Sequence, residues 1–398
     1  MGNTGARPLD GITIVEVGQL IAGPFAATIL GYFGADVIKV EQPGRGDPIR
    51  GWRLLDRGTS YWWRSLGRNK RSLTLDLHEA EGRELLRRLI DRADVLVENF
   101  RPGVMEEWGL GPSTFEKSNP GLVFARISGY GQTGPYRHRH GYASVCEGIG
   151  GFRYVNGFPG QPPVRPNLSL GDTVTGLHAA LGIVMSLLAR NRLGRGQTID
   201  VAIFESVFNL MESVVPEYSG AGEVREPSGT TLTGVVPTNT YPCGDGKHVI
   251  IGGNGTSIYQ RLMRAVGRPD LAERPDLQTN EGRVACEAEI DQVLASWCAS
   301  QPSTDVLAVL ERERVPSGPI FSVADMFEDP QYQARELFEE VEVGERRFAV
   351  PAMVPRLNET PGRTTWPGPE LGEHTDQVLA ELGVDADARA DLRARGIV

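Results

Sequence analysis

An aspartate in a short motif flanked by glycines is the residue of this sequence best suited to carry chemistry. Asp172 lies in the segment LGDTVTG, residues 170–176, where an apolar helical pattern begins that runs to about Arg192. A carboxylate is already ionised at pH 7, so it can act as a nucleophile without a general base. Aspartate directly before a helix is also a favoured N-cap, and the local residues alone favour that capping role. Both roles stay open at this point.

Three glycines form a second motif with a chemical interpretation. Gly129, Gly131 and Gly134 give the pattern G-x-G-x-x-G directly after a predicted strand, Leu122–Ile127, as in dinucleotide sites. The following segment, Arg137–His140, does not continue an apolar helical stripe, and no acidic strand end follows about 20 residues later. The pattern therefore favours a loop rich in turns.

Motifs for metals and for other common catalytic centres are absent from the sequence. The six histidines show no H-E-x-x-H motif, and His178, six residues into the predicted helix, is predicted to pack rather than to bind a ligand. The sequence has no P-loop, no G-x-S-x-G and no kinase motif. We therefore expect no metal and no prosthetic group.

The charge distribution argues against a nucleic-acid partner and for a small anionic ligand. The net charge is −10, whereas a nucleic-acid binder needs clustered cations to displace counterions from phosphates. The stretch from Arg50 to Arg101, however, contains twelve lysines and arginines but only eight acidic residues. This stretch has two interpretations, a binding zone for a small anion or a solvated basic helix face.

The cysteines and the N-terminus predict a cytoplasmic protein. None of the four cysteines forms C-x-x-C, and their irregular spacing suits free thiols in a reducing compartment: Cys146, Cys243, Cys286 and Cys298. The N-terminus has no apolar core of a signal peptide, and no apolar run approaches about 18 residues. We therefore expect no membrane span.

Strand and helix patterns alternate along the first half of the chain. Alternation of this kind predicts an α/β fold with a parallel sheet covered by helices on both faces. The predicted strands are Ile12–Val17, Asp36–Glu41, Ser72–Leu77, Asp94–Glu98, Leu122–Ile127 and Thr198–Ile203, and the predicted helices are Gly23–Phe33, Glu79–Ala93, the helix after Asp172 and Phe204–Ser213.

The second half of the chain predicts a smaller domain between two linkers. Glu217–Asn239 is rich in Gly, Ser, Thr and Pro and is predicted to be a long loop. A strand pair near Tyr241 and His248–Ile251 follows, then helices from about Ser257 to Arg312. A strand-rich stretch, Val341–Val354, and a helical tail end the chain. We expect a large domain from residues 1–224 and 331–398 and a small α+β domain from 225–330.

Several segments in order resemble the family III CoA-transferases, the CaiB/BaiF family, which includes formyl-CoA transferase and alpha-methylacyl-CoA racemase relatives. The resemblance covers nearly the whole chain, from PLDGITIVEVGQLIAGPF at its start to LGEHTDQVLAELG near its end. It is carried by residues 8–50, 69–77, 94–111, 129–136, 170–182 and 194–206. It implies a large doubly wound, Rossmann-like domain, a small domain and an interlocked homodimer.

The resemblance also implies the reaction and its nucleophile. Asp172 would attack an acyl-CoA thioester, pass through an anhydride and an aspartyl-CoA thioester, and deliver CoA to another carboxylate. Backbone N–H groups of the loop Gly229–Gly234 would stabilise the oxyanions. CoA is a substrate in this scheme, and no prosthetic group takes part.

The residues that match the family's CoA site come from several segments. They are Leu20, Ile21, Ala22, Leu75, Asn99 and Phe100, with Arg101 and Lys70 as phosphate partners by charge and Tyr142 near the acyl group. Gln42 and Glu107 stand where relatives carry basic residues. We therefore expect altered phosphate contacts, with Arg45, Arg50 or Arg71 as substitutes.

Two other functions remain as alternatives. The racemases use a histidine and a glutamate as acid/base groups, and their places fall on Tyr142 and Gly255 in this chain. A tyrosine with an ordinary pKa near 10 is a poor general base at pH 7. Racemisation is therefore disfavoured. A non-catalytic CoA-binding module is disfavoured because Asp172 is retained within its full motif.

The substrate acid is left open by the sequence. The segment GFPGQPPVRPNLSLGD resembles family members that use short dicarboxylates. Arg165 in this segment has two interpretations, a partner for a distal carboxylate or a structural residue. Succinyl-CoA with a dicarboxylate acceptor is the preferred hypothesis.

Overall fold

The chain folds into two compact units in this computed structural model, which describes residues 6–398. The first unit contains the described residues up to Arg153 together with Arg165–Glu223 and Arg335–Val398. The second contains Tyr154–Val164 and Val224–Ala334. Sequence analysis placed the short segment Tyr154–Val164 in the large domain, whereas in the structure it packs within the second unit. Within that unit, the N–H of Gly229 donates to the carbonyl of Gly157 at 2.8 Å.

The strands and helices are numbered here in chain order. The strands are β1 Thr13–Glu16, β2 Asp36–Glu41, β3 Leu55–Asp56, β4 Thr59–Ser60, β5 Lys70–Thr74, β6 Val95–Glu98, β7 Val123–Ser128, β8 Thr198–Ala202, β9 Thr238–Pro242, β10 His248–Gly252, β11 Ser317–Pro319, β12 Phe338–Val343 and β13 Arg346–Pro351. The helices of the first half are α1 Ala22–Tyr32, α2 Tyr61–Leu66, α3 Ala80–Ile90, α4 Val104–Glu107, α5 Pro112–Phe115, α6 Ala143–Ile149, α7 Phe152–Val155 and α8 Leu170–Leu193. Those of the second half are α9 Ile203–Phe208, α10 Val214–Ala221, α11 Thr256–Ala265, α12 Pro269–Glu273, α13 Asn280–Ala285, α14 Glu287–Ala299, α15 Ser303–Arg312, α16 Val323–Glu328, α17 Pro330–Ala334, α18 Thr375–Glu381 and α19 Ala386–Ala394.

A six-stranded parallel sheet forms the centre of the first unit. Its spatial order is β5-β2-β1-β6-β7-β8, and every neighbouring pair is parallel. Counted in chain order, the six strands are therefore arranged 3-2-1-4-5-6, the doubly wound order in which ligands bind where the order reverses. The reversal lies between β1 and β6, which pair from Ile14 with Val95 to Glu16 with Val97. The predicted α/β class with a parallel sheet is confirmed.

Helices cover both faces of this sheet and bury a separate apolar core on each. On one face, α1 and α8 pack over alternate strand residues such as Ile14, Val37 and Val97. On the other face, α3 and the C-terminal helices α18 and α19 pack over the intervening residues such as Val15 and Ile38. Strands buried on both faces are nearly continuous in apolar residues, which explains the Val- and Ile-rich runs of the sequence. The large domain is thus built from both ends of the chain, as expected.

The second unit is an α+β arrangement around a small antiparallel sheet. Its three strands are ordered β11-β10-β9. Tyr241, Val249 and Ile251 of this sheet share an apolar core with Tyr259 and Leu262 of α11. The strand β11 was not predicted, because three residues, Ser-Gly-Pro, give no alternating pattern of their own.

Two sequence expectations about helices need correction. The helix α8 begins at Leu170 rather than after Asp172, and the helix α10, Val214–Ala221, occupies the start of the segment expected to be a loop. By length and composition alone, α8 is also long and apolar enough to cross a membrane, and the expectation of no membrane span stays a prediction. Its Ala179 and Ile183 pack into the core of the first unit, as in the core helix of a folded domain.

A buried network of charged side chains spans β1, β2 and β5, with Glu16 at the carboxyl end of β1 and Lys70 at the amino end of β5. Lys39 Nζ donates to Glu16 Oε1 at 2.7 Å and to Asp47 Oδ2 at 2.8 Å. Lys70 Nζ donates to the other Glu16 oxygen at 2.7 Å and to the carbonyl of Pro24 at 2.7 Å. The side chains of Glu16, Lys39 and Lys70 are fully buried, so each charge depends on its partners for solvation.

Next to this network, Glu41 holds the segment that follows β2. Arg50 forms a bidentate pair with Glu41 at 2.7 Å for both contacts, and its guanidinium stacks 3.7 Å from the ring of Trp63. Ser72 Oγ donates to the same carboxylate at 2.7 Å, and so does the Asp47 N–H at 2.9 Å. These bonds lower the pKa of Glu41 and keep it charged despite its burial.

The network generates a stability prediction. Lys39→Met leaves the buried carboxylates of Glu16 and Asp47 without their main partner, so we expect a loss of about 3–5 kcal/mol in the free energy of unfolding. Denaturant unfolding followed by tryptophan fluorescence measures this loss. The exposed Lys117→Met is the matched control, with an expected change within about 0.5 kcal/mol. Equal stabilities of the two variants would contradict the assigned role of the network.

Candidate active site

A cavity of about 920 Å³ opens at the carboxyl ends of the parallel strands, within the first unit. Segments that follow five different strands line it: Gln19–Ala22 after β1, Gln42 after β2, Leu75–His78 after β5, Asn99–Pro102 after β6 and Gly129–Tyr130 after β7. This end of an open α/β sheet is the general location of ligand sites, since the loops there diverge around the point where the strand order reverses.

Nine of the residues assigned to the site from the sequence line this one cavity. They are Leu20, Ile21, Ala22, Leu75, Asn99, Phe100, Arg101, Tyr142 and Asp172. They lie as far as 152 positions apart in the chain, from residue 20 to residue 172. The fold therefore brings the assigned nucleophile and the assigned CoA-binding residues to a single site.

The loops on the two sides of the strand reversal are tied directly to each other. The carboxamide of Asn99 accepts from the N–H of Gln19 and donates to its carbonyl, both at 2.7 Å. The N–H of Leu20 donates to Asp47 Oδ1 at 3.1 Å, and Leu20 has a left-handed φ of 65°. The polar groups of Asn99 and Leu20 thus shape the cavity wall through protein contacts, a role that the sequence did not reveal.

Several cations assigned to phosphates from sequence lie elsewhere. Lys70 is fully buried against Glu16, and Arg50 is buried against Glu41, so neither faces the cavity. Arg71 pairs with Asp36 and Glu381 outside the cavity, and Arg45, although exposed, does not line it. Lys70, Arg50 and Arg71 already pair with acidic side chains, which charge alone does not reveal, and the assignment of Arg45 stays a prediction.

A different group of basic residues lines the cavity. Besides Arg101 and Arg165, which the sequence analysis singled out, it consists of His78, Arg137, Arg139 and His140. Arg137 Nε donates to His138 Nε2 at 2.8 Å, and the guanidinium of Arg139 stacks 3.6 Å from the ring of Tyr136. The run Arg-His-Arg-His at residues 137–140 was a visible signal for this cluster in the sequence.

The glycine motif forms a loop rich in turns, as predicted. Gly131 and Gly134 have φ of 85° and 82°, and the N–H of Gly131 donates to Ser128 Oγ at 2.9 Å. The next helix, α6, begins only at Ala143. A dinucleotide fingerprint needs a helix N-terminus directly after its glycines, so this loop is not such a fingerprint.

Asp172 is the third residue of α8, not its cap. Ser169 occupies the N-cap position, and the helix runs for 24 residues behind the aspartate. Burial and the nearby carboxylate of Glu147 raise the pKa of Asp172 to about 6, against a smaller lowering by the cation of Arg165. The partial positive charge at the helix N-terminus favours the ionised form.

Glu147 is a fully buried carboxylate beside Asp172 that sequence analysis missed. Its Oε1 accepts from the N–H of Gly171 at 3.2 Å, and its Oε2 accepts from Arg153 Nε at 2.9 Å. Arg165 Nε lies 3.9 Å from the same Oε2. Glu147 and its partners lie on different elements, and no local pattern in the sequence marked them as a group.

The other nucleophile near the site is held in its inactive form. Burial and the negative charge of Asp172 raise the pKa of the Cys146 thiol to about 11. Its Sγ–H donates to the carbonyl of Gly129 at 3.3 Å. Only the thiolate is nucleophilic, so the Cys146 thiol is a poor nucleophile at neutral pH.

Two further assignments from the resemblance belong to the second unit. Gly229–Gly234, assigned to oxyanion stabilisation, is a turn-containing loop there, and Gly255 caps the N-terminus of α11. The role of the loop Gly229–Gly234 in oxyanion stabilisation stays a prediction, and Gly255 was assigned no role of its own. Within residues 6–398, no group of three or more His, Cys, Asp or Glu side chains is arranged to hold a metal ion.

Comparison with known proteins gives consistent matches over nearly the whole chain. The family model of CoA-transferase family III matches residues 9–375. Succinyl-CoA–D-citramalate CoA-transferase of Chloroflexus aurantiacus is 42% identical over 397 residues, which are 98% of both chains. The beta subunit of succinyl-CoA–L-malate CoA-transferase of the same organism is 40% identical over the full length of both chains. A CaiB/BaiF family crystal structure from Brucella suis matches with a TM-score of 0.85 and 33% identity, covering 95% of this chain and 100% of that one.

The arrangement around Asp172 generates a titration prediction. Glu147→Gln removes the negative charge that repels the ionised aspartate, so we expect the pKa of Asp172 to fall below its value of about 6. Carbon-13 NMR of protein labelled at aspartate carboxyl groups measures it, with the resonance assigned from Asp172→Asn. The exposed Glu116→Gln is the control and leaves the titration unchanged. A pKa that stays the same or rises in Glu147→Gln would show that Glu147 does not control this carboxyl.

Proposed function

Because this chain belongs to CoA-transferase family III, we propose that it transfers CoA from succinyl-CoA to a short dicarboxylic acid, with Asp172 as the nucleophile. The observation that carries the proposal is the position of Asp172 in one cavity with all eight assigned CoA-binding residues. The relatives named for succinyl-CoA act with D-citramalate or L-malate, which are both dicarboxylates. Together these points support the donor and the acceptor class.

The first half of the reaction places CoA on the protein. The carboxylate of Asp172 attacks the thioester carbonyl of succinyl-CoA and expels CoA thiolate, which leaves a mixed anhydride. The thiolate then attacks the aspartyl carbonyl of that anhydride and releases succinate. The product is an aspartyl-CoA thioester, so the activation of the acyl group is conserved in a covalent bond.

The second half repeats these steps with the acceptor. The acceptor carboxylate attacks the aspartyl thioester, expels the thiolate and forms a second mixed anhydride with Asp172. The thiolate attacks the acceptor's carbonyl, which gives the new acyl-CoA and regenerates the free carboxylate of Asp172. Neither the thioester nor the anhydride is hydrolysed in these reaction steps, so the reaction needs no ATP.

The raised pKa of Asp172 suits this nucleophile. With a pKa of about 6, the carboxyl is about nine-tenths ionised at pH 7. A carboxylate with a higher pKa is also more basic and is a better nucleophile than an exposed aspartate. Burial therefore improves the reactivity of Asp172 while the helix N-terminus preserves its charge.

The cations around the cavity support binding of the CoA phosphates. Arg101, Arg137, Arg139 and His140 line it in a chain whose net charge is −10. We assign the phosphates to this group in place of the basic residues that relatives carry at Gln42 and Glu107. We place the apolar parts of CoA along Leu20, Ile21 and Phe100 and the thioester near Tyr142.

We also propose a homodimer that works in the cytoplasm without a membrane or nucleic-acid partner. The four cysteines, all of them free thiols, support a reducing compartment. The helix α8 exposes four apolar side chains with helical spacing, at 49–62% exposure, which supports a second copy as their cover: Leu177, Leu181, Met185 and Leu188.

The covalent intermediate provides the first test. We expect Asp172→Asn to lower CoA transfer by at least about 10³-fold, because an amide cannot form the anhydride. Wild-type protein incubated with succinyl-CoA and then with borohydride is expected to carry a reduced side chain at residue 172, found by peptide mass spectrometry. The exposed Asp270→Asn is the control and keeps full activity.

The outcome separates transfer from the alternative functions. Deuterium uptake at the alpha carbon of an acyl-CoA without CoA exchange would indicate a racemase. Binding of CoA with neither activity would indicate a binding module. Either result would refute the proposed transfer.

The pH dependence provides a second test. Protonated Asp172 cannot attack, so we expect kcat/KM to fall about tenfold per pH unit below pH 6. For an ordinary aspartate, with a pKa of 3.8, this fall would begin about two units lower. Initial rates between pH 4.5 and 8 with saturating acceptor measure the midpoint. A rate that stays constant down to about pH 4.5 would contradict the raised pKa of Asp172, because a nucleophilic aspartate with an ordinary pKa would also give it.

A further inference from the structure

Arg165 is a cation in the active-site cavity without a close partner. Its side chain is 45% exposed and lines the same cavity as Asp172. Its nearest acidic atom, Glu147 Oε2, is 3.9 Å away, which is beyond hydrogen-bond distance. Among residues 6–398 its guanidinium donates no side-chain hydrogen bond, so its N–H groups are available to a ligand in the cavity.

Glu147 does not need Arg165 for its own stability. The buried carboxylate is already paired with Arg153 at 2.9 Å and accepts from the N–H of Gly171 at 3.2 Å. A buried charge with these partners is satisfied without another cation. The negative charge of Glu147 nevertheless attracts the guanidinium of Arg165 and holds it on the side of the cavity where Asp172 lies.

The other cavity arginines are arranged differently. Arg139 is stacked on Tyr136, and Arg137 is bonded to His138, within the loop that follows β7. Arg165 is the arginine whose cation acts on the carboxyl of Asp172. A carboxylate bound by Arg165 would therefore belong to the part of the substrate near the reacting carbonyl.

We propose that Arg165 binds the distal carboxylate of the acyl group, the one that does not become a thioester, and that Glu147 and Arg153 position it for this contact. A guanidinium matches a carboxylate in a bidentate pair. Asp172 is one nucleophile that serves donor and acceptor in turn, so Arg165 would bind the distal carboxylate of each. This inference rests on the proposed function, since it names the residue that selects dicarboxylates.

The test compares an acid with its uncharged analogue. Succinyl-CoA is held at saturation, and kcat/KM is measured for the best dicarboxylate acceptor and for its monoamide, which lacks the distal charge. We expect wild-type protein to prefer the diacid by about 10- to 100-fold, the size of a charge-assisted hydrogen-bond pair. In Arg165→Gln this ratio is expected to fall to near one, through a higher KM for the diacid and an unchanged KM for the monoamide.

Conservative and matched variants separate recognition from structure. Arg165→Lys keeps the charge but loses the planar guanidinium that can donate two parallel hydrogen bonds to a carboxylate. We expect this variant to keep part of the preference for the diacid that Arg165→Gln loses. Arg195→Gln, an exposed arginine outside the cavity, should keep the wild-type ratio. Melting temperatures of all variants report whether folding is affected.

Each outcome has one interpretation. A wild-type ratio in Arg165→Gln, or an equal loss for diacid and monoamide, would overturn the assignment of Arg165 while leaving the transferase activity established. A wild-type protein that transfers CoA only to monocarboxylates would overturn the choice of dicarboxylates. Absence of transfer to every acid, with no intermediate trapped at Asp172, would refute the proposed function itself.

Discussion

The buried charges that span β1, β2 and β5 are the constraint on which the site depends. Glu16, Lys39 and Lys70 stand in three adjacent parallel strands where apolar residues are normal, and each is fully buried. Lys39 also bonds to Asp47 and to the carbonyl of Gly18, and Asp47 accepts from the N–H of Leu20. The network thus connects the strand ends to the loop after β1. Since breaking a buried pair leaves an uncompensated charge, the loop cannot move without a large energetic cost.

This network also explains why the excess of cations in residues 50–101 was not the ligand site. Lys70 pairs with Glu16, and Arg50 pairs with Glu41. Arg71 pairs with both Asp36 and Glu381, so these three cations of the basic stretch are structural. The cations left for an anionic ligand come largely from elsewhere in the chain, including residues 137–140 and Arg165. The arginines that line the cavity place positive charge there, and positive charge in a cleft attracts anions.

The helix α8 joins catalysis to the core. Its Ala179 and Ile183 pack with α1 against the sheet, which holds the first turn of the helix at the cavity. Burial and Glu147 raise the pKa of Asp172 in that turn, whereas Arg165 and the partial positive charge of the helix N-terminus favour its ionised form. A core helix that is packed in place holds these groups near one another, so the pKa of Asp172 depends on the packing of the domain.

The sequence by itself determined the α/β class, the parallel sheet, most element positions to within a few residues, and the motif that contains Asp172. These follow from local periodicity and from contiguous motifs, which a linear sequence displays directly. Tertiary structure alone decided that Asp172 lies inside α8 beside the buried Glu147, and that Lys70 and Arg50 are structural while Arg139 and Arg165 face the cavity. These properties depend on distances between residues far apart in the chain. Burial and electrostatic pairing are defined only once the chain has brought those residues together.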